Sequence, residues 1–183
     1  MTEPNYGPAI FITLGIIVVL IGLMALGWRN RLKRQADVPA PPAAPADLGA
    51  AIATGEGTYI TTTTAHDYLD RIAVHGLGIR TTAVLSVHES GVIFDRSGSD
   101  ALFIPRESLR DVRLDSGMAG KFVEKDGLIV IEWNIGAHEG AADSAETNVD
   151  TGFRARYHEQ QAELFAAIES ILPRTTQNER KSA

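Results

Sequence analysis

The run AIFITLGIIVVLIGLMALGW, Ala9 to Trp28, constrains this chain more than any other stretch. It contains no charge, and its one hydroxyl side chain is Thr13. A helix of this length rises about 30 Å, the thickness of a hydrocarbon core, so the run is expected to cross a membrane. Pro8 stands before it and Trp28 ends it, where an indole favours the interface. A cleaved secretory signal would open on basic residues, whereas MTEPNYGP carries only Glu3. Arg29, Arg31, Lys33 and Arg34 follow at once. The positive-inside rule places them on the cytoplasmic face, so residues 1–8 are expected outside and the rest inside the cell's inner (plasma) membrane. Trp28 and these four basic residues are the expected membrane-interface set.

Residues 29–54 read as a basic stop followed by an Ala/Pro-rich linker. Pro39, Pro41, Pro42 and Pro45 favour extended polyproline II, which predicts a leash between span and domain. The domain is expected over 55–173, followed by a disordered polar tail, 174–183. The 183 residues hold no cysteine, which excludes disulfide scaffolds, thiolate metal sites and a cysteine nucleophile. Residues 55–173 carry ten Lys/Arg against nineteen Asp/Glu, a net charge of −9. Such a domain is a poor general partner for nucleic acid or anionic lipid.

Within the domain the pattern is β-type. GTYITTTT (57–64) is β-branched, and TTAVLSVHES then alternates, with Ala83, Leu85 and Val87 on one face. Ser90-Gly91 turns into GVIFDR, so 81–96 reads as a hairpin, and ALFIP follows. Asp111 to Asp115 alternates, with Val112 and Leu114 inward. LIVIEWNI (128–135) sets Ile129, Ile131, Trp133 and Ile135 on one face, and NVDTGFRA (148–155) supplies a last strand. Residues 65–76 are ambiguous and read as a short helix capped by Asp67 and ended by Gly76. From Tyr157 to Leu172 the period becomes helical, with Leu164, Phe165, Ile168, Ile171 and Leu172 on one stripe. The fold class is therefore α+β: six or seven antiparallel strands in a pleckstrin-homology-like (PH-like) barrel or roll, capped by a C-terminal amphipathic helix.

No stretch assembles a catalytic or metal motif. His66-Asp67, and His138 with Glu139 and Asp143, lack the converging ligands that zinc or calcium needs. Ser86, His88 and Glu89 lie on a hairpin and GxSxG is absent. SGMAGK (116–121) has only two residues between its glycines and Phe122 after its lysine, so it reads as a turn, not a phosphate loop. Arg106, Arg110, Arg113, Lys121 and Lys125 interleave with Glu107, Asp111, Asp115, Glu124 and Asp126. That balance leaves little field for an anionic headgroup, so specific phosphoinositide binding is not expected.

The stretches TTTTAHDYLDRIAVHGLGIR, GVIFDR, FIPRESLRDVR, GMAGKFVEKDGLIVIEWNIG and DTGFRAR, in this order after a span and an Ala/Pro linker, carry a resemblance. The chain resembles small actinobacterial single-pass membrane proteins with a PH-like domain. The resemblance implies a membrane-anchored domain of unassigned biochemical role. The expected function is a non-catalytic interaction module at the cytoplasmic face, binding a protein or peptide and using no cofactor. The alternative is an accessory or structural subunit of a membrane or transport complex, assembled through the span. Gly15, Gly22 and Gly27 bear on it, though their spacings of seven and five do not form GxxxG. Arg106, Arg154 and Arg156 are the candidate interaction surface.

Overall fold

A computed structural model describes residues 7–136 and 147–173. The candidate loop residues His138, Glu139 and Asp143, the first six residues and the tail lie outside the described residues. The chain divides into two units, 1–36 and 37–183, each taken by itself. The first unit is α1, Gly7–Arg34, with no buried residue and Arg31, Lys33 and Arg34 in its last turn. It is long and apolar enough to cross a membrane.

Among the described residues the second unit is built on ten strands: β1 (Ala51–Thr64), β2 (Asp67–Arg71), β3 (Thr81–His88), β4 (Gly91–Arg96), β5 (Leu102–Pro105), β6 (Leu109–Asp115), β7 (Gly117–Met118), β8 (Lys121–Phe122), β9 (Leu128–Ile135) and β10 (Thr147–Ala155). The helix α2, His158–Ile171, follows. The main sheet is antiparallel throughout, in the order β5-β4-β3-β1-β10-β9-β6, with β2 added beside β1. Chain connectivity forces this sheet to curl. Laid flat, its edge strands β5 and β6 would lie about 29 Å apart at ~4.8 Å per strand step. Pro105 to Leu109 is a single 3-10 turn that spans at most about 14 Å. The edges do not bond to one another, so the result is an open roll and not a closed barrel.

β1 makes the corner. Its first part pairs with β3, its second part with β10, and the register shifts between Tyr59 and Thr61 where the two pairings meet. A strand that changes sheets through a bulge is the usual way to turn such a corner. The concave face buries Tyr59, Leu85, Phe94, Val112, Ile129, Ile131, Trp133 and Phe153. Tyr59 packs edge-on against Phe94, and Phe94 against Phe153, with centroids 5.7 and 5.9 Å apart. Leu164, Ala167, Ile168 and Ile171 of α2 complete this core. The missing side chain of Gly55 allows the approach, because a Cβ there would stand 2.8 Å from Leu164 Cδ1. Pro173 discourages a helical conformation at Leu172, whose ψ is 142°, and so ends the helix.

A hydrogen-bonded thread runs through the core. The Trp133 indole N–H donates to Thr151 Oγ1 at 2.8 Å. Thr151 and Thr62 hydroxyls lie 2.8 Å apart, Thr62 and Tyr59 hydroxyls 2.7 Å apart, and Tyr59 donates to the Leu77 carbonyl at 2.8 Å. Because the first group can only donate and the last only accept, all the hydroxyl protons are set in one direction. Every member is satisfied, so burial of three hydroxyls and an indole costs little. The Arg96 guanidinium sits 4.9 Å above the Tyr59 ring and donates to the carbonyls of Asp100 and Gly76.

Burial pushes the Tyr59 phenol up to about 12, with Thr62 and Arg96 acting weakly the other way. Its proton is held more tightly in the folded state than in the unfolded chain, where it leaves near pH 10. The stability it confers is complete below pH 10 and falls as pH rises from 10 towards 12. A spectrophotometric phenolate titration of the wild type and Tyr59→Phe should therefore show one component near pH 12 missing in the variant. A difference spectrum centred near pH 10 would contradict this.

Four features depart from the sequence reading. Residues 65–76 form no α-helix. His66 takes φ 63°, Asp67 Oδ1 accepts from the amides of Leu69 and Asp70, and the chain turns back as β2 along β1 before a 3-10 turn at Val74–Gly76. Leu114, expected inward, is 39% exposed near the end of β6. The Ala/Pro segment, expected as a free leash, touches the domain: Val38 packs on the core, its carbonyl lies 2.9 Å from His75 Nε2, and Gly49 and Leu48 carbonyls bond to His88 and Ser90. Its prolines suit an extended strap as well as a leash. Finally, β7 and β8 form a hairpin over the convex face, burying Ile60, Met118, Leu128 and Val130 in a second small core. Gly152 lies beneath Met118, where any Cβ would overlap the methionine sulfur.

Candidate functional site

The interior of the domain is filled by aromatic and branched side chains, so the candidate site is sought at its surface. An open groove of about 670 Å³ lies on the convex face, where β3, β1 and β10 meet the start of α2. Strand alternation builds it. Gly55, Gly57 and Tyr59 point to the core, which turns Glu56 and Thr58 outward, and Arg154 and Arg156 project outward on β10 and just beyond it. Thr82, Val84, Ser97 and His158 continue the lining. The 124–127 loop forms a wall, held to α2 by the Gln161 amide donating to the Asp126 carbonyl.

The groove carries matched charge. Arg154 Nη2 donates to both Glu124 oxygens at 3.0 and 2.9 Å, and Arg156 Nη1 reaches Glu56 at 3.5 Å. The Glu124 carboxyl is held below the usual carboxylate range by its own backbone N–H and then by Arg154. These pairs are exposed, so solvent screens them and they add little to stability. Each guanidinium engages its carboxylate through one nitrogen.

Of the candidate surface residues, the fold brings Arg154 and Arg156 together and sets Arg106 apart. Arg106 lies in the 3-10 turn after β5 and pairs with Glu89 at 3.2 Å. Trp28 and Arg29 to Arg34 all lie on α1, whose helix runs on through the basic residues. The remaining basic residues of 106–126 do not converge either. Arg110 donates to the carbonyls of Glu107 and Leu109, while Arg113 crosses to Asp150.

Catalytic arrangements are not assembled among the described residues. Ser86 Oγ accepts from Thr54, and His88 Nδ1 lies 3.1 Å from the Gly49 carbonyl, so each has its own separate partner. No group of three His, Asp or Glu among the described residues can hold a metal ion. SGMAGK is a two-residue hairpin turn: Ala119 and Gly120 take φ 53° and 73°, as a type I′ turn requires.

The cluster that sequence reasoning missed is electrostatic. Asp150, 2% exposed, accepts from both Arg113 terminal nitrogens, at 3.2 and 2.6 Å, and from the His66 amide at 3.2 Å. Glu132 stands 3.8 Å from Arg113 and 3.7 Å from His66. Burial pulls the Arg113 guanidinium down, but Asp150, Glu132 and Asp115 together raise it further still. The cluster ties the β1–β2 turn to β10 and β6. No spacing in the sequence announces it, because Arg113 and Asp150 are 37 residues apart.

No curated protein matches the chain closely enough to count as a relative. The family described as "Bacterial PH domain-like" matches residues 38–169, well over half of the chain. That match begins at Val38, where the strap first packs against the core, and ends within α2. With an open antiparallel roll capped by a C-terminal helix, this chain belongs to the bacterial PH domain-like family.

Proposed function

We propose that the protein is a membrane-anchored, non-catalytic interaction module whose PH-like domain takes a protein or peptide partner at the cytoplasmic face. The observation that carries the reading is the groove: a surface concavity with exposed ion pairs, on a roll whose interior is packed. Hydroxyls from Thr58, Thr82 and Ser97 beside the two guanidiniums offer an extended segment polar contacts along its length. The apolar helix α1 and the basic residues in its last turn support anchoring with the domain inside. The resemblance to actinobacterial single-pass proteins accords with this arrangement.

Two fusions after Ala183 test the orientation. A fluorescent protein that folds only in the cytoplasm should be bright, and alkaline phosphatase, which needs export, should be inactive. The reverse pattern would contradict the inside placement. The groove is tested by Arg154→Glu with Arg156→Glu. Partner capture should fall at least about tenfold while the domain's melting temperature stays within a few degrees, because these exposed pairs add little to stability. Capture unchanged by both reversals would contradict the groove.

A further inference from the structure

Residues 38–49 form neither helix nor strand, yet they are fastened to the domain at both ends. Val38 packs on the core, and its carbonyl accepts from His75 Nε2 at 2.9 Å. At the other end the Leu48 carbonyl accepts from Ser90 Oγ at 3.4 Å, and the Gly49 carbonyl from His88 Nδ1 at 3.1 Å. A carbonyl can only accept, so these contacts put a proton on Nε2 of His75 and on Nδ1 of His88. The two attachments stand at opposite ends of β4. Ser90 precedes its first residue, and His75 adjoins Gly76, whose carbonyl accepts from Arg96, its last.

Between its ends the strap is held lightly. Pro39, Pro41 and Pro42 are partly covered, whereas Ala43 to Asp47 are exposed. Pro39, Pro41, Pro42 and Pro45 lack the N–H with which a chain would join the sheet. The bonds from His75 and Ser90 are open to water, and a neutral hydrogen bond shifts a docking equilibrium only about fivefold. The sheet beneath is closed by continuous ladders and by the buried thread from Trp133 to Tyr59. A segment with few buried contacts opens ahead of such a core.

We infer that residues 38–49 are a releasable strap, docked on the domain through Val38 and His75 and converted to free linker when that end lets go. Its position sets how much loose chain follows α1. With the strap docked, residues 35–37 separate Arg34 from Val38, a stretch that extends at most about 14 Å. With that end released, the loose chain runs on to Leu48 and extends about 43 Å as polyproline II. The tether thus has two lengths about threefold apart, while the core and the groove lining stay the same. The biological setting rests on α1 as an anchor, but the docking equilibrium is a property of residues 37–183 alone.

The chain has no cysteine, so Ala43→Cys with Glu163→Cys gives a unique pair of spin labels at exposed positions on the strap and on α2. Pulsed dipolar spectroscopy of the full chain in lipid nanodiscs should show one narrow distance component. Val38→Ser with His75→Gly removes the apolar contact and the ring that donates to the strap, and glycine accepts the φ of 55° at position 75. In that variant the ratio of narrow to broad component should fall at least about tenfold, the order expected for losing both contacts. The Ile129 and Ile131 amides on β9 should meanwhile keep their protection from hydrogen exchange. A broad distribution in the wild type would overturn the inference, and so would an unchanged narrow one in the variant. If the double variant also loses β9 protection, Val38→Ser alone decides, since it alters no residue of the sheet. Broadening with β9 still protected would then support the releasable strap. Loss of β9 protection there too, or no broadening, would overturn it.

Discussion

Arg113→Ala should destabilise residues 37–183 by about 3–5 kcal/mol, measured by urea or guanidinium unfolding, because it leaves the Asp150 carboxylate buried without its counter-charge. Asp150 is almost fully enclosed by β10, the β1–β2 turn and the Arg113 guanidinium. Only the His66 amide would remain to it of the hydrogen bonds described above, and one neutral donor does not replace a guanidinium. Glu132, 3.8 Å from the same guanidinium, would add repulsion between neighbouring carboxylates on paired strands. Pairing the change with Asp150→Leu should restore most of the loss, since replacing both members of a buried ion pair is far less costly than orphaning one. A single-variant loss under about 1 kcal/mol would show that water reaches Asp150 and that the pair is no tie.

Thr151→Val should cost about 2–4 kcal/mol although it preserves volume and β propensity. Thr151 is the junction of the buried thread: it accepts from Trp133 and bonds to Thr62. A methyl group in place of that hydroxyl orphans the indole N–H and removes one partner of Thr62, and each buried unsatisfied group costs about 1–3 kcal/mol. Trp133→Phe removes the orphaned donor, so adding it to Thr151→Val should cost less than its effect in the wild type. Additive losses would mean the thread is not a coupled unit.

How much of this was legible in the sequence follows from where the information sits. Ile129, Ile131, Trp133 and Ile135 are all fully buried, because strict alternation reports a face directly. The α2 stripe held for Leu164, Ile168, Ile171 and Leu172, while Phe165 is only partly buried and Ala167 takes a core place. The misreading of 65–76 has a local cause. His66 and His75 both adopt positive φ, which few non-glycine residues do and which no periodicity reveals. β1 begins at Ala51, and in its first residues, Ala-Ile-Ala-Thr-Gly, two alanines and a glycine dilute the strand propensity of Ile52 and Thr54. One signal was present and unused. Leu128 and Val130 are apolar on the face opposite Ile129 and Ile131, so β9 had to be covered on both sides, and the β7–β8 hairpin provides the cover.

The candidate site was less legible because it is assembled from distant segments. Arg154 and Arg156 could be singled out from their pattern beside Phe153, but their partners Glu124 and Glu56 lie 30 and 100 residues away. Only the roll brings those four residues to one surface. Arg106 carries the same charge in a similar local pattern, yet the turn after β5 directs it to Glu89.

The central claim is that the PH-like domain recognises a partner through its groove, with α1 serving to hold it at the membrane. In-cell photo-crosslinking from Thr58 or Val84, with α1 exchanged for an unrelated apolar span, tests this most directly. The account predicts that both groove positions capture the same protein before and after the exchange, that Arg154→Glu with Arg156→Glu abolishes capture, and that Glu163 on α2 captures nothing. Capture that disappears when α1 is exchanged, or that arises only from positions within α1, would contradict the account and make the helix the site of assembly.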